Sequence, residues 1–108
     1  MLFKKEHQEM ILNGTKTATR RVWKKPMVKV GGVYKAKLQM LSKDYFAKIK
    51  VTRLYKQGLY FITEEDARKE GYHNIEEFSK IWIKINGEWN PNLIVYAIEF
   101  EVVNDGNT

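Results

Sequence analysis

The sequence predicts an α+β domain built around a small, strongly curved β-sheet or barrel. Three observations carry this. Period-two alternation recurs at Tyr34–Met40, Tyr45–Val51 and Ile94–Val102. A helical stripe precedes the first strand, and a pair of helical segments is inserted ahead of the last. The strands are short and closely spaced, which favours curvature over a doubly wound sheet. A length of 108 residues suits one domain over 1–108, with a core over about 2–103, and no repeat, low-complexity run or interdomain linker interrupts it.

Lys4 to Asn13 reads as a short helix: Phe3, Met10 and Ile11 share one stripe (i, i+7, i+8) and Gly14 supplies the stop. Thr15 to Val22 is rich in β-branched residues and reads as a strand. After the Gly31-Gly32 turn, Tyr34, Ala36, Leu38 and Met40 face one way, opposite Lys35, Lys37 and Gln39. Ser42-Lys43-Asp44 turns the chain, and Tyr45, Ala47, Ile49 and Val51 repeat the pattern opposite Lys48 and Lys50. The two runs predict a hairpin whose lysine face either tracks phosphates or keeps the edge soluble. Thr63-Glu64-Glu65-Asp66 has capping-box spacing, and Gly71 closes that helix. Asn74 opens a second helix with an apolar stripe of Ile75, Phe78, Ile81, Trp82 and Ile85, and Asn86-Gly87 stops it. The last strand is the clearest: Ile94, Tyr96, Ile98, Phe100 and Val102 alternate with Val95, Ala97, Glu99 and Glu101. Asn104 to Thr108 is expected to fray.

Composition narrows the chemistry. The absence of cysteine excludes disulfides, zinc–thiolate sites and a cysteine nucleophile. His7 and His73 are too few and wrongly spaced for a histidine metal site, and His73, just past a helix end, reads as a surface residue; no metal or cofactor is expected. No apolar run approaches the roughly 20 residues that span a bilayer, and no signal pattern opens the chain, so a cytoplasmic location without membrane partners is expected. Net charge is +6 but unevenly spread: residues 1–58 carry 15 basic and 3 acidic side chains, residues 59–108 carry 4 and 10. The resulting positive face is the footprint of a nucleic-acid partner, or else a solvated lysine-rich surface.

The densest chemistry lies in Gly14-Thr15-Lys16-Thr17-Ala18-Thr19-Arg20-Arg21, three cations and three hydroxyls at a helix-to-strand handover. Lys16, Thr17, Arg20 and Arg21 are candidate ligand contacts, continued by Trp23, Lys24 and Lys25. Exposed rings stack bases for roughly 1–3 kcal/mol each. Trp23 is the best-placed ring for that, whereas Phe78 and Trp82 fit the core. Tyr60 and Trp89, near turns, either wall a cleft or anchor loops. Glu70 falls in the last turn of its helix, where the dipole disfavours a carboxylate by up to about 1 kcal/mol. It is either a solvated surface glutamate or a partner for Lys16 or Arg21. One geometric difficulty stands out: Lys16 and Thr19 have opposite parity, so a regular strand would separate them unless Lys16 lies in the preceding loop or a bulge intervenes.

Gly14-x-Lys16-x-x-x-x-Arg21 after a short helix resembles the signature of the ASCH domains, a branch of the PUA-like superfamily. Glu64-Glu65-Asp66-Ala67-Arg68-Lys69-Glu70-Gly71, the helix with Phe78 and Trp82, and the closing Val95–Phe100 strand agree, so the resemblance covers about Leu2 to Val103. It implies a PUA-like β-barrel of five or six strands flanked by short helices, with a cleft lined by the octet that binds RNA, a nucleoside or a nucleotide. Bacterial ASCH proteins of similar size include amidohydrolases that deacetylate N4-acetylcytidine. Their catalytic lysine, threonine and glutamate correspond to Lys16, Thr19 and Glu70, and Arg20 stands where they carry an apolar residue. In that chemistry Thr19 attacks the acetyl carbonyl, Lys16 takes the hydroxyl proton, and Glu70 orients the base or shuttles the proton. A lysine of ordinary pKa, about 10.4, serves as a base only if burial or a nearby cation lowers that value. RNA or nucleotide binding is the leading expectation and the amidohydrolase the alternative. A single-strand ribonuclease, for which the chain lacks an obvious histidine pair, and a protein-interaction module follow.

Overall fold

A computed structural model describes residues 1–103. Helix α1 (Lys5–Leu12) leads into strand β1 (Ala18–Arg21). A long loop follows, then β2 (Val33–Ala36) and β3 (Ala47–Gly58). A single 3₁₀ turn at Leu59–Phe61 precedes helices α2 (Glu64–Lys69) and α3 (Ile75–Asn86), and β4 (Ile94–Val103) closes the chain. The strands form one antiparallel sheet in the order β1-β4-β3-β2, so the last strand lies beside the first.

Local chemistry explains most boundaries. Thr63 caps α2 by accepting from the Asp66 N–H, while the Asp66 carboxylate accepts from the Thr63 N–H, the reciprocal box read from the sequence. Asn74 caps α3 through the Glu77 N–H, and Gly87 ends it in the left-handed region. Gly71 ends the α2 segment at φ 103°, and a Cβ there would stand 2.8 Å from the Met10 sulfur, so only glycine fits.

The sheet is a curled half-barrel. Register slips between Val51 and Arg53, where Thr52 is the extra residue. A bulge of this kind bends a strand and increases its twist, and here it divides β3 into two differently facing halves. The core follows the curl. Tyr96, Ile98 and Phe100 pack inside it with Val28, Val51, Ile49 and Phe3, whereas Val95 packs under the helices with Ala67, Phe78 and Trp82. Val95 to Ile98 are therefore all buried despite their alternating pattern.

Four expectations need correction. The α+β class and curved sheet stand, but the sheet has four strands among the described residues rather than five or six. The missing edge is a single parallel bridge between Leu2 and Lys37, with Lys37 bonded to the backbone of Met1 and Phe3. That bridge also stops β2 at Ala36, so the hairpin is shorter than predicted. Leu38, Met40 and Leu41 leave the sheet and are exposed. β1 starts at Ala18 rather than Thr15, because the N–H groups of Lys16 and Thr17 donate to Met10 and Lys69, leaving only the Thr17 carbonyl to meet β4 at Phe100. β3 runs seven residues beyond the alternation that announced it, past its bulge to Gly58. The expected fraying of Asn104 to Thr108 lies outside the described residues.

Candidate functional site

Lys16 sits in the turn between α1 and β1, pinned on both sides: its N–H donates to the Met10 carbonyl and that of Thr17 to the Lys69 carbonyl. This loop placement resolves the parity difficulty. Lys16 and Thr19 line the same cleft because Lys16 is not part of the strand.

The Lys16 side chain is 2% exposed, and its Nζ donates to both the Glu70 backbone carbonyl (3.1 Å) and Glu70 Oε1 (3.0 Å). Burial holds its pKa below the ordinary lysine range, opposed by the neighbouring Glu70. Arg20 takes the other carboxylate oxygen, its Nη1 lying 2.9 Å from Glu70 Oε2. The rest of that guanidinium is also engaged: Nε donates to Gln57 Oε1, and Nη2 reaches the Tyr55 hydroxyl and Asp66. Gln57 closes the circuit by donating to Asp66 Oδ2. The capping acid of α2 and the far half of β3 thus hold Arg20, and Arg20 and Lys16 together hold Glu70. Glu70 is 3% exposed, which settles the sequence alternative against a solvated surface glutamate.

Thr19 Oγ1 accepts from Arg21 Nε at 3.1 Å, so its own proton is free to donate. Arg21 Nη2 donates to the Leu2 carbonyl, and the guanidinium lies 4.9 Å from the Phe3 ring centre. Opposite, His7 Nε2 meets the Tyr72 hydroxyl at 2.5 Å. Burial pushes the His7 pKa down to about 4, aided by the charge on Lys16, and pushes Tyr72 up to about 12. Both groups are therefore uncharged at neutral pH, and either the hydroxyl or Nε2–H donates, according to the imidazole tautomer.

Lys16, Thr19, Arg20, Arg21, Glu70, His7 and Tyr72 line one cleft of about 780 Å³, with Trp23, Phe78, Trp82 and aliphatic side chains such as Ile81 and Ile85 completing it. The Trp82 indole N–H is buried and has no hydrogen-bond partner among the described residues. Of the residues singled out in the sequence, Lys16, Thr19, Arg20, Arg21, Trp23 and Glu70 are brought together here. Trp23 is half-buried, its ring 6.1 Å from that of Tyr96. The other candidates fall elsewhere. Thr17 faces a second, smaller hollow beside Ile11 and Phe100. Lys24 and Lys25 are exposed outside the lining, and Tyr60 is exposed on the 3₁₀ turn, packed edge-on against Phe61. Trp89 packs against Phe78 and Trp82 as a core anchor.

Sequence reasoning missed His7 and Tyr72. His7 carried a usable signal, since it lies four residues before Ile11 on the buried face of α1. Tyr72 carried none beyond following the Gly71 stop. Among the described residues no three His, Cys, Asp or Glu side chains gather closely enough to hold a metal.

The chain matches the ASCH domain family over residues 1–104. No curated protein matches it. Among solved structures it is similar to hypothetical protein PH0355, with 22% identity, a TM-score of 0.70 and 94% of each chain covered. It is also similar to protein EF3133 from Enterococcus faecalis V583, with 18% identity, a TM-score of 0.65, and coverage of 91% of this chain and 70% of that one. The ASCH domain from Lactobacillus crispatus JV V101 is likewise similar, with 18% identity, a TM-score of 0.63, and coverage of 88% and 69%. At these identities the likeness establishes the fold.

Proposed function

The chain belongs to the ASCH domain family, and from that premise we propose that its cleft takes a base of single-stranded RNA or of a free nucleotide. The observation that carries this is the mixed lining of a cleft of about 780 Å³, in which Lys16, Thr19, Arg21 and Glu70 share the surface with the rings of Trp23, Phe78 and Trp82. A cleft of this size suits a small planar ligand. Rings offer stacking, and the polar wall offers both donors and acceptors to a base edge. The basic N-terminal half supplies phosphate contacts along the surface. Affinity for single-stranded RNA is then expected to fall steeply and linearly as log K against log salt. A flat dependence in filter binding would remove the electrostatic part of the reading.

A second reading is favoured by one observation, that Lys16, Thr19 and Glu70 line the same cleft. In an amidohydrolase acting on an acylated cytidine, Thr19 Oγ1 would add to the acyl carbon as its proton passes to the Lys16–Glu70 pair. Collapse would break the C–N bond and return a proton to the departing amine, and water would then release the acyl group from Thr19. Lys16 itself serves as the base only in its neutral form, and burial holds its pKa below the ordinary lysine range. Thr19 Oγ1 is hydrogen-bonded to Arg21 and not to Lys16, which places binding ahead of catalysis. Purified protein that converts N4-acetylcytidine to cytidine, and ceases to with Lys16→Ala, would reverse that order. Undiminished turnover in the variant would eliminate the mechanism.

A further inference from the structure

Charge does not balance in the cleft wall. The carboxylates within reach are already taken: Glu70 by Lys16 and Arg20, and Asp66 by Arg20. Arg21 makes direct contact only with neutral partners among the described residues, namely the Thr19 hydroxyl, the Leu2 carbonyl and the Phe3 ring, and feels the already paired Glu70 only from beyond contact distance. A guanidinium stays charged at physiological pH, and charges removed from water are ordinarily paired. Two further cations, Lys4 and Lys5, stand exposed in the lining of the same cleft, which contains a single carboxylate, Glu70. Arg21 is also held rigid. Nε and Nη2 are fixed on Thr19 and Leu2, so the planar fork meets a ligand already oriented.

We propose that the absent counter-charge belongs to the ligand: the cleft selects a phosphorylated nucleotide over a neutral nucleoside, its phosphate seated on Arg21 with Lys4 and Lys5 at the rim. This rests on the nucleobase reading above and specifies its ligand class. The phosphate is either the terminal monophosphate of a free nucleotide or a phosphodiester flanking a base in RNA. Both present the bidentate acceptor geometry that an arginine fork matches.

Calorimetric titration of the four ribonucleosides, their 5′-monophosphates and the four homodinucleoside monophosphates tests it. For the base that binds, the phosphorylated form is expected to bind roughly 30-fold more tightly than the nucleoside, the effect of a charge-assisted pair. Arg21→Gln should reduce that preference to below about 3-fold, costing the phosphorylated form far more affinity than the nucleoside, and Arg21→Lys should restore part of it. Tight dinucleotide binding identifies the phosphodiester as the source, and tight binding of monophosphates alone identifies the terminal group. Equal affinity for nucleoside and nucleotide, or an equal loss of both in Arg21→Gln, overturns the proposal while the nucleobase reading survives. If no nucleoside or nucleotide binds, the nucleobase reading fails. Inorganic phosphate then decides the anion site alone: a thermal shift present in the native protein and in a control at the exposed Lys84, Lys84→Gln, but lost in Arg21→Gln supports it, and no shift overturns it. Should Arg21→Gln fail to fold, the native nucleoside-to-nucleotide ratio and Arg21→Lys decide between the same two outcomes.

Discussion

Replacing Glu70 with alanine is expected to cost about 3–5 kcal/mol of folding stability, the range for breaking a buried ion pair from one side. The carboxylate answers two cations at once, and they fare differently without it. Arg20 retains Asp66, Gln57 and the Tyr55 hydroxyl. Lys16 retains only the Glu70 backbone carbonyl and stays enclosed. Its ammonium is then a buried charge without a counter-ion, so it either loses its proton or draws water into the cleft. Urea melts at neutral pH measure the loss. The double variant Lys16→Met with Glu70→Leu should recover much of it, because apolar residues of similar volume often replace a buried pair at little cost. A loss below about 1 kcal/mol in Glu70→Ala would mean that water already reaches the pair. Ligand binding should be lost in both variants, separating the stability role of the pair from its place in the cleft wall.

Acidification should weaken the fold well before carboxylates begin to protonate. His7 is 9% exposed with a pKa of about 4, against 6.5 for a free imidazole. Between those values the unfolded chain binds a proton that the folded chain refuses, so stability rises with pH across the window and is lost as pH falls through it. The full shift corresponds to about 3 kcal/mol, complete only once pH has fallen to about 4. The groups facing His7 set that resistance. Burial leads, Lys16 and Arg21 repel a second positive charge, and Glu70 and Glu6 oppose them in part. Protonation also fixes the direction of the contact with Tyr72, because a charged imidazole can only donate and the hydroxyl oxygen must then accept. Asp66 acts in the same direction at lower pH: burial raises its pKa, but bonds from Thr63 and Gln57 and the charge on Arg20 more than offset this. Denaturant midpoints between pH 7 and pH 5 should fall in the native protein, and fall less in His7→Gln, which does not titrate there. Parallel curves would show that His7 is not the group responsible.

The readable parts of the sequence were those whose signals are local. The Thr63 and Asn74 caps, the Gly71 and Gly87 stops and the apolar stripe of α3 each depend on neighbours within four residues, and each formed where expected. Errors arose where a distant backbone decided the outcome. Leu38 and Met40 alternate well enough for a strand, but Lys37 pairs with Met1 and Phe3, which peels the chain away from β3. The alternation that announces β3 ends at Val51, and beyond it Tyr55 and Gln57 turn toward Arg20, so the use of those side chains depends on a residue 35 or more positions earlier. Glu70 shows the same limit from the opposite side. Its placement at a helix C-terminus is locally unfavourable and therefore noticeable, yet the two cations that reverse its environment lie 50 and 54 residues away.

The position of β4 decides when the cleft comes into being. Every side chain of the lining lies between Leu2 and Asn86, so β4 contributes none. Yet β4 is the strand between β1 and β3, the sole ladder joining the half that carries Lys16, Thr19 and Arg21 to the half that carries Tyr55 and Gln57. Residues 1–93 carry every side chain of the lining but lack the strand that pairs with both β1 and β3. The cleft is thus held by a strand it does not contain, and its walls take their relative places only when β4 has paired along both edges, a long-range step that local helix formation precedes.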